Sequence, residues 1–220
     1  MNNIKCVLFD LDGTLADTSK DMCDCLNNIL VRRDLKKVDC LELKFHISRG
    51  VVGIIEYASY VNGRSVDSSL MRSEFLEDYK INCMTRTELV SGMDFMLNEL
   101  ENMSIKWGVV TNKHYKFASK IIEGLSIKNR SSCLITGNMV NNPKPSPEML
   151  LKATDLLRLH TDNVMYVGDD ARDIIAGKSA GMKTATANFG FIKNGINYRS
   201  WNSDYILNRP QDLLEILKKL

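Results

Sequence analysis

A chain of 220 residues, 44% hydrophobic and 25% charged, is long enough for one folded domain or for a core carrying a smaller insert. Its 29 basic and 27 acidic side chains leave a formal charge of +2, which argues against nucleic acid or an anionic membrane as the main partner. No stretch reaches the roughly 20 apolar residues needed to cross a bilayer.

Met1-Asn2-Asn3 leads straight into an apolar run, without the cationic and long apolar regions of a secretory leader, so cytoplasm is the expected compartment. The six cysteines, at 6, 23, 25, 40, 83 and 133, are expected there as reduced packing or surface thiols. Cys23 and Cys25 have no second pair nearby and the chain holds three histidines, so zinc is not expected.

Ile4 to Phe9 reads as a buried parallel strand that stops at Asp-Leu-Asp-Gly-Thr. The next stretch is helical. Met22, Leu26, Ile29 and Leu30 share one face, Leu41 to Phe45 and Ile54 to Tyr60 suggest shorter helices, and Leu70, Phe75, Leu76 and Tyr79 mark another. From there strand and helix patterns alternate. Strands are expected at Trp107 to Thr111, Cys133 to Thr136, Val164 to Val167 and Thr184 to Ala187. Helical stripes run through Met93, Met96, Leu97 and Leu100, through Ala118, Ile121, Ile122 and Leu125, through Met149, Leu150, Ala153, Leu156 and Leu157, and through Ile174, Ile175 and Ala180. The pattern predicts an α/β fold, a Rossmann-like, mostly parallel sheet core (1–15 and 89–220) with a small all-helical cap (16–88) inserted after the first strand. Linkers fall near 15–17 and 85–91. Leu213, Leu214, Leu217 and Leu220 form a terminal apolar face expected to cover the sheet, and monomer or homodimer is left open.

In such sheets ligands bind beyond the carboxyl ends of the strands. Asp10, Asp12 and Thr14 follow the first strand, Thr111 and Asn112 the second, and Asp169, Asp170 and Asp173 a later one, while Lys144 sits among Pro143, Pro145 and Pro147. Several acids converging with one lysine need a cation or a phosphate to offset them, and an all-oxygen set suits magnesium. Asp10 has the chemistry of a phosphoryl-accepting nucleophile. Asp12, two residues on, points the same way and can carry a proton to the leaving group. Gly13 permits a tight turn and its amide is a candidate phosphate donor, as are Thr111 and Lys144. Each residue also has a plainer reading: Asp as turn former or helix cap, Thr111-Asn112 as a cap, Lys144 as a surface lysine, Asp170 as a helix-N-terminal acid.

FDLDGTLADT (Phe9 to Thr18), VVTNK (Val109 to Lys113), KPSPEML (Lys144 to Leu150) and YVGDDARDIIAGKSAGM (Tyr166 to Met182) resemble the motif set of the haloacid dehalogenase-like hydrolase superfamily. The resemblance implies Asp10 as nucleophile, Asp12 as acid/base, and Thr111, Asn112, Lys144 and Gly13 at the phosphate. It also implies Mg2+ on Asp10, the Asp12 backbone carbonyl and Asp169, supported by Thr14, Asp170 and Asp173. The insert resembles the cap of the phosphoglycolate phosphatase-like branch, which implies Ser48, Arg49 and Gly50 as leaving-group contacts. That branch includes phosphoglycolate phosphatase and N-acetylmuramic acid 6-phosphate phosphatase, and WGVVTNK, GDDARDI and ANFGFI (Ala187 to Ile192) resemble the latter. The expected partner is a small phosphorylated metabolite and the expected reaction Mg-dependent hydrolysis of its ester, first of the phosphoglycolate type. N-acetylmuramic acid 6-phosphate hydrolysis, sugar-phosphate transfer, dehalogenation and a non-catalytic interaction protein are the alternatives. His114 stands where relatives commonly have proline after TNK; it is read as a helix start, with a role in substrate choice as the alternative.

Overall fold

Four consecutive apolar residues form β1 (Cys6–Phe9), and all four are buried, as a strand covered on both faces requires. The computed structural model describes residues 4–63 and 68–220, so the expectation drawn from Met1-Asn2-Asn3 lies outside the described residues. The chain divides into two compact units, Met1–Ala16 with Leu89–Leu220, and Asp17–Glu88.

After β1 the chain runs through β2 (Ala16–Asp17), α1 (Ser19–Arg32), α2 (Cys40–Leu43), a 3-10 turn (Lys44–Arg49), α3 (Gly50–Asn62) and α4 (Ser68–Asn82). It returns at β3 (Glu88–Leu89), which pairs with β2. Then follow α5 (Met93–Asn102), β4 (Lys106–Thr111), α6 (Tyr115–Gly124), β5 (Leu134–Thr136), α7 (Glu148–Leu157), β6 (Val164–Gly168), α8 (Ala171–Ser179), β7 (Lys183–Ala187), β8 (Tyr205–Leu207) and α9 (Asp212–Leu217).

The main sheet is parallel throughout, in the order β5-β4-β1-β6-β7-β8. β1 lies between β4 and β6, with Phe9 in register with Val109 on one side and Val167 on the other. The connection changes direction there, so three strand ends open together at the switch point. Cys6 and Leu8 point to the face covered by Met149, Leu150 and Ala153 of α7 and Ala176 of α8. α5 packs on α9, whose Leu213, Leu214 and Leu217 are buried. The expected strands are present, and β8 is an addition that the sequence pattern did not reveal: three residues are too few to display a period.

In the helical unit, α1 buries Met22, Leu26, Ile29 and Leu30. It contacts α4, which buries Met71, Phe75 and Tyr79. Arg33 on the α1 side pairs with Glu74 of α4 at 2.9 Å. Asp21, also buried, accepts from Arg86 N (2.8 Å), Thr87 N (2.9 Å) and Thr87 Oγ1 (2.7 Å), tying the start of α1 to the segment before β3. The expected helix over Leu41 to Phe45 ends at Leu43 and tightens into the 3-10 turn.

The expectation of reduced cysteines is corrected at one pair. Cys23 and Cys40 form a disulfide, their Cα atoms 5.5 Å apart where α1 and α2 meet. Helical geometry sends Cys25 to a different direction from Cys23, so it takes no part. Cys6, Cys25, Cys83 and Cys133 are free and buried. Burial pushes the Cys6 and Cys133 thiols up to about 12, which leaves them inert.

β8 is held beside β7 partly by Asp204, which accepts from Thr184 N (2.8 Å) and Thr184 Oγ1 (3.0 Å). Burial alone would raise the Asp204 pKa, but the Thr184 bonds and Lys183 take it below the usual carboxylate value. A carboxyl depressed in the folded state stabilises above its unfolded pKa, and that contribution disappears as pH falls through the folded value. Asp204→Ala is therefore expected to lose about 1–3 kcal/mol at pH 7 in urea unfolding. The gap to wild type should hold down to about pH 5 and narrow below about pH 4. A gap unchanged through the acid range would show that the carboxylate is not its source.

Candidate active site

The Asp10 amide donates to Val167 O at 2.9 Å, so the β1 ladder runs one residue past the strand and delivers the Asp10 side chain beyond the sheet edge. Thr111 ends β4, and Asp169 follows β6 directly; both are buried. These residues converge because their strands are neighbours.

Lys144 occupies the centre. Its ammonium lies 2.7 Å from Asp173 Oδ1, 2.7 Å from Tyr166 Oη, 3.2 Å from Val110 O and 2.9 Å from Asp10 Oδ1. The Tyr166 hydroxyl is 2.9 Å from Val110 O and 3.1 Å from Asp173 Oδ1, and its one proton serves one of them at a time. Burial opposes the charge on Lys144, but Asp10 and Asp173 outweigh it and hold the ammonium above its ordinary pKa. Gly168 makes this possible: a Cβ there would come within 2.3 Å of the Asp173 carboxyl group.

Asp169 accepts from the Thr14 hydroxyl at 3.0 Å and from Phe191 N at 2.7 Å. Burial, then Asp10 and Asp173, push its carboxyl well above the ordinary range. Asp10 is likewise raised, to about 6, by burial and by Asp173 and Asp12, with Lys144 working in the opposite direction. Gly13, at φ +84°, turns the chain over this group, and a Cβ there would sit 2.3 Å from Asp169 Oδ2. Its amide donates to Ala16 O at 2.9 Å, closing the tight turn expected there with the N–H that was the candidate phosphate donor.

Carboxylate oxygens of Asp10, Asp169 and Asp173 lie within 4.8 Å of one another, the metal-capable group among the described residues. Asp10 Oδ1 is buried, with the Lys144 ammonium 2.9 Å away as its neighbour of opposite charge. Three carboxylates gathered together, with one ammonium shared by Asp10 and Asp173, fit a divalent cation bound through oxygen. Asp173 is the least available of the three, since Lys144 and Tyr166 engage one oxygen and Asp170 N donates to the other at 3.0 Å.

The remaining expected residues separate by what they touch. Asp12 is gripped by Lys113, whose ammonium lies 2.8 Å and 3.0 Å from its two carboxylate oxygens. Asn112 uses both ends of its amide on the peptide groups of Lys144, at 2.9 Å and 3.0 Å, which braces the lysine loop where a phosphate contact was expected. Asp170 caps α8, accepting from Arg172 N at 2.9 Å and forming a capping box with Asp173, as its plainer reading had it. His114 caps α6 through Nδ1, which accepts from Lys116 N at 3.2 Å; this is the helix start read from the sequence. Within the helical unit, Ser48 and Arg49 end the 3-10 turn, Gly50 turns the chain at φ +68°, and the exposed Arg49 pairs with Glu56 at 2.6 Å.

Three residues outside the expected set belong to the site: Lys113, Tyr166 and Phe191. Lys113 and Tyr166 lie inside the quoted motifs, but their partners Asp12 and Lys144 are distant in sequence and leave no local pattern. Phe191 contributes its amide, which no side-chain motif encodes.

The haloacid dehalogenase-like hydrolase family profile matches residues 7–187. An N-acetylmuramic acid 6-phosphate phosphatase of Pseudomonas putida is 36% identical over 214 residues, covering 97% of this chain and 96% of that protein. A phosphoglycolate phosphatase of Xanthomonas campestris is 34% identical over 211 residues, covering 96% and 95%. Among solved structures, a predicted phosphoglycolate phosphatase from Haemophilus somnus superposes with a TM-score of 0.88 at 23% identity, covering 98% and 99%, a likeness of fold. With its acidic cluster at the switch point of a parallel sheet and a helical insert after β1, the chain belongs to the haloacid dehalogenase-like hydrolases, in their phosphoglycolate phosphatase-like branch.

Proposed function

We propose that this protein hydrolyses a small-molecule phosphate monoester through a phosphorylated Asp10. The observation that carries the reading is the cluster of half-buried Asp10 with buried Asp169 and Asp173, two of them paired with Lys144, beyond the ends of β1 and β6. Asp10 attacks phosphorus in line while Asp12 gives its proton to the departing alcohol oxygen. Asp12 then takes a proton from water as that water attacks the aspartyl-phosphate and restores Asp10. Lys144 and Thr111 bind the phosphoryl oxygens, Asp173 keeps Lys144 in place, and Asn112 holds its loop. Asp10, the Asp12 carbonyl and Asp169 would hold Mg2+, which when bound supplies positive charge against the transferring phosphoryl group. Ser48, Arg49 and Gly50 are the candidates for reading the leaving group.

We put N-acetylmuramic acid 6-phosphate ahead of 2-phosphoglycolate, the reverse of the order first expected, in line with the motifs that resemble the former's phosphatase. Relatives of that activity match at 36% and 34% over nearly the whole chain. Phosphoglycolate phosphatases matching at 34% keep the second ester in contention.

Asp10→Asn is expected to abolish phosphate release while the protein still unfolds cooperatively on heating; near-normal turnover would end the covalent reading. Dialysis against a chelator should remove activity and Mg2+ restore it, whereas undiminished activity in the chelated protein would rule the ion out. Specificity constants on a phosphate-ester panel should favour N-acetylmuramic acid 6-phosphate over 2-phosphoglycolate by about a hundredfold, roughly 2.7 kcal/mol in transition-state binding. The opposite ranking would assign the second ester.

A further inference from the structure

Asp12 stands on the loop after β1, and Lys113 on the loop after β4. The Lys113 ammonium reaches both Asp12 carboxylate oxygens, at 2.8 Å and 3.0 Å, with the two side chains 6% and 17% exposed. An Asp side chain has two rotatable bonds, and a donor bound to both oxygens fixes them together. The Asp12 backbone is held as well, in a bridge to Ala16. On the other side, Lys113 N donates to Thr111 Oγ1 at 3.3 Å, so the turn that aims Thr111 also sends Lys113 toward Asp12. Most surface ion pairs are too mobile to fix a geometry, but this one is largely withdrawn from water and spans two loops.

We propose that Lys113 is a positioning residue for Asp12, setting the carboxyl group for proton transfer to the leaving oxygen. This rests on the acid/base reading of Asp12 given above. In the first step the O–H bond of Asp12 breaks, its electron pair stays on the carboxylate, and the proton joins the departing alkoxide. Negative charge grows on Asp12 as this happens, 2.8 Å from a fixed ammonium, so the contact is stronger in the transition state than before it. Lys144 is committed to Asp10, Asp173 and Tyr166. The two lysines thus divide the work, one at the phosphoryl group and one at the proton.

The test compares kcat/KM, which reports only steps up to departure of the alcohol, on esters that differ in their need for a proton. p-Nitrophenyl phosphate loses its leaving group unaided. Glycerol 2-phosphate and the preferred ester of the panel (N-acetylmuramic acid 6-phosphate or 2-phosphoglycolate) do not. Lys113→Met is expected to lose about a hundredfold on both alkyl esters and no more than about threefold on the aryl ester. Lys113→Arg, whose planar fork can also hold two oxygens, should recover most of that loss. Asp12→Asn should show the same split, and adding Lys113→Met to it should cost little more, as expected of residues acting as one unit. Equal losses on all esters would mark a purely structural role. A loss confined to carboxylate-bearing esters would mark substrate recognition, and either result overturns the proposal. If Asp12→Asn shows the split and Lys113→Met does not, the positioning role alone falls. If Asp12→Asn shows none, the acid/base reading falls and takes the proposal with it.

Discussion

The site depends on one buried ammonium. An ion-sized charge taken out of water is costly by several kcal/mol, and attraction returns that only with good geometry and further hydrogen bonds. Lys144 has both, between Asp10 and Asp173 and against Tyr166 and Val110 O. Its neighbours follow from that need. A tyrosine stands in the middle of β6, where an apolar residue would pack as well, because its hydroxyl meets the ammonium. Gly168 omits the Cβ that would strike Asp173. Removing one partner of a buried pair commonly costs about 3–5 kcal/mol, so the cluster tolerates change as a set rather than residue by residue.

That same cluster is unbalanced in a direction that fits its chemistry. One ammonium faces three carboxylates, and burial together with mutual repulsion raises both Asp10 and Asp169. A fold selected for stability alone would not gather these groups. Their charge becomes favourable only when a cation shares the site. Stability given up at the strand ends is regained in the sheet, where β1 is buried along its whole length.

Much of this was legible in the sequence because it depends on short-range signals. The apolar run before Asp10 declares a buried strand, and the strand end declares where its first polar residue must emerge. Asp10, Thr111 and Asp169 were expected at strand ends for that reason, and Lys144 in a loop marked by its prolines. His114 and Asp170 followed from capping chemistry, which is local too. What escaped depends on contacts distant in sequence. Lys113 meets Asp12 across 101 positions, and Asp12 alone does not say from where its partner comes. Cys23 and Cys40 lie 17 positions apart, and the irregular stretch between α1 and α2 that brings them together has no periodic signal. β8 exists because β7 offers it a ladder, and its own three residues could not announce it.

The stretch Thr111-Asn112-Lys113 shows why the motif could be recognised while its duties could not be assigned. Inside β4, alternation would send the first and third of these residues one way and the second the other. Past the strand end the alternation lapses, and each finds its own partner. Thr111 Oγ1 accepts from the Lys113 amide, Asn112 grips the Lys144 peptide groups, and Lys113 reaches Asp12. One turn therefore fixes two loops that meet nowhere else in sequence, the one after β1 and the proline-rich one bearing Lys144. A displacement of this turn would move the Asp12 carboxylate and the Lys144 loop together. Coupling of that kind makes substitutions at the three positions non-additive, and it gives the short run a constraint that neither its composition nor its exposure would suggest.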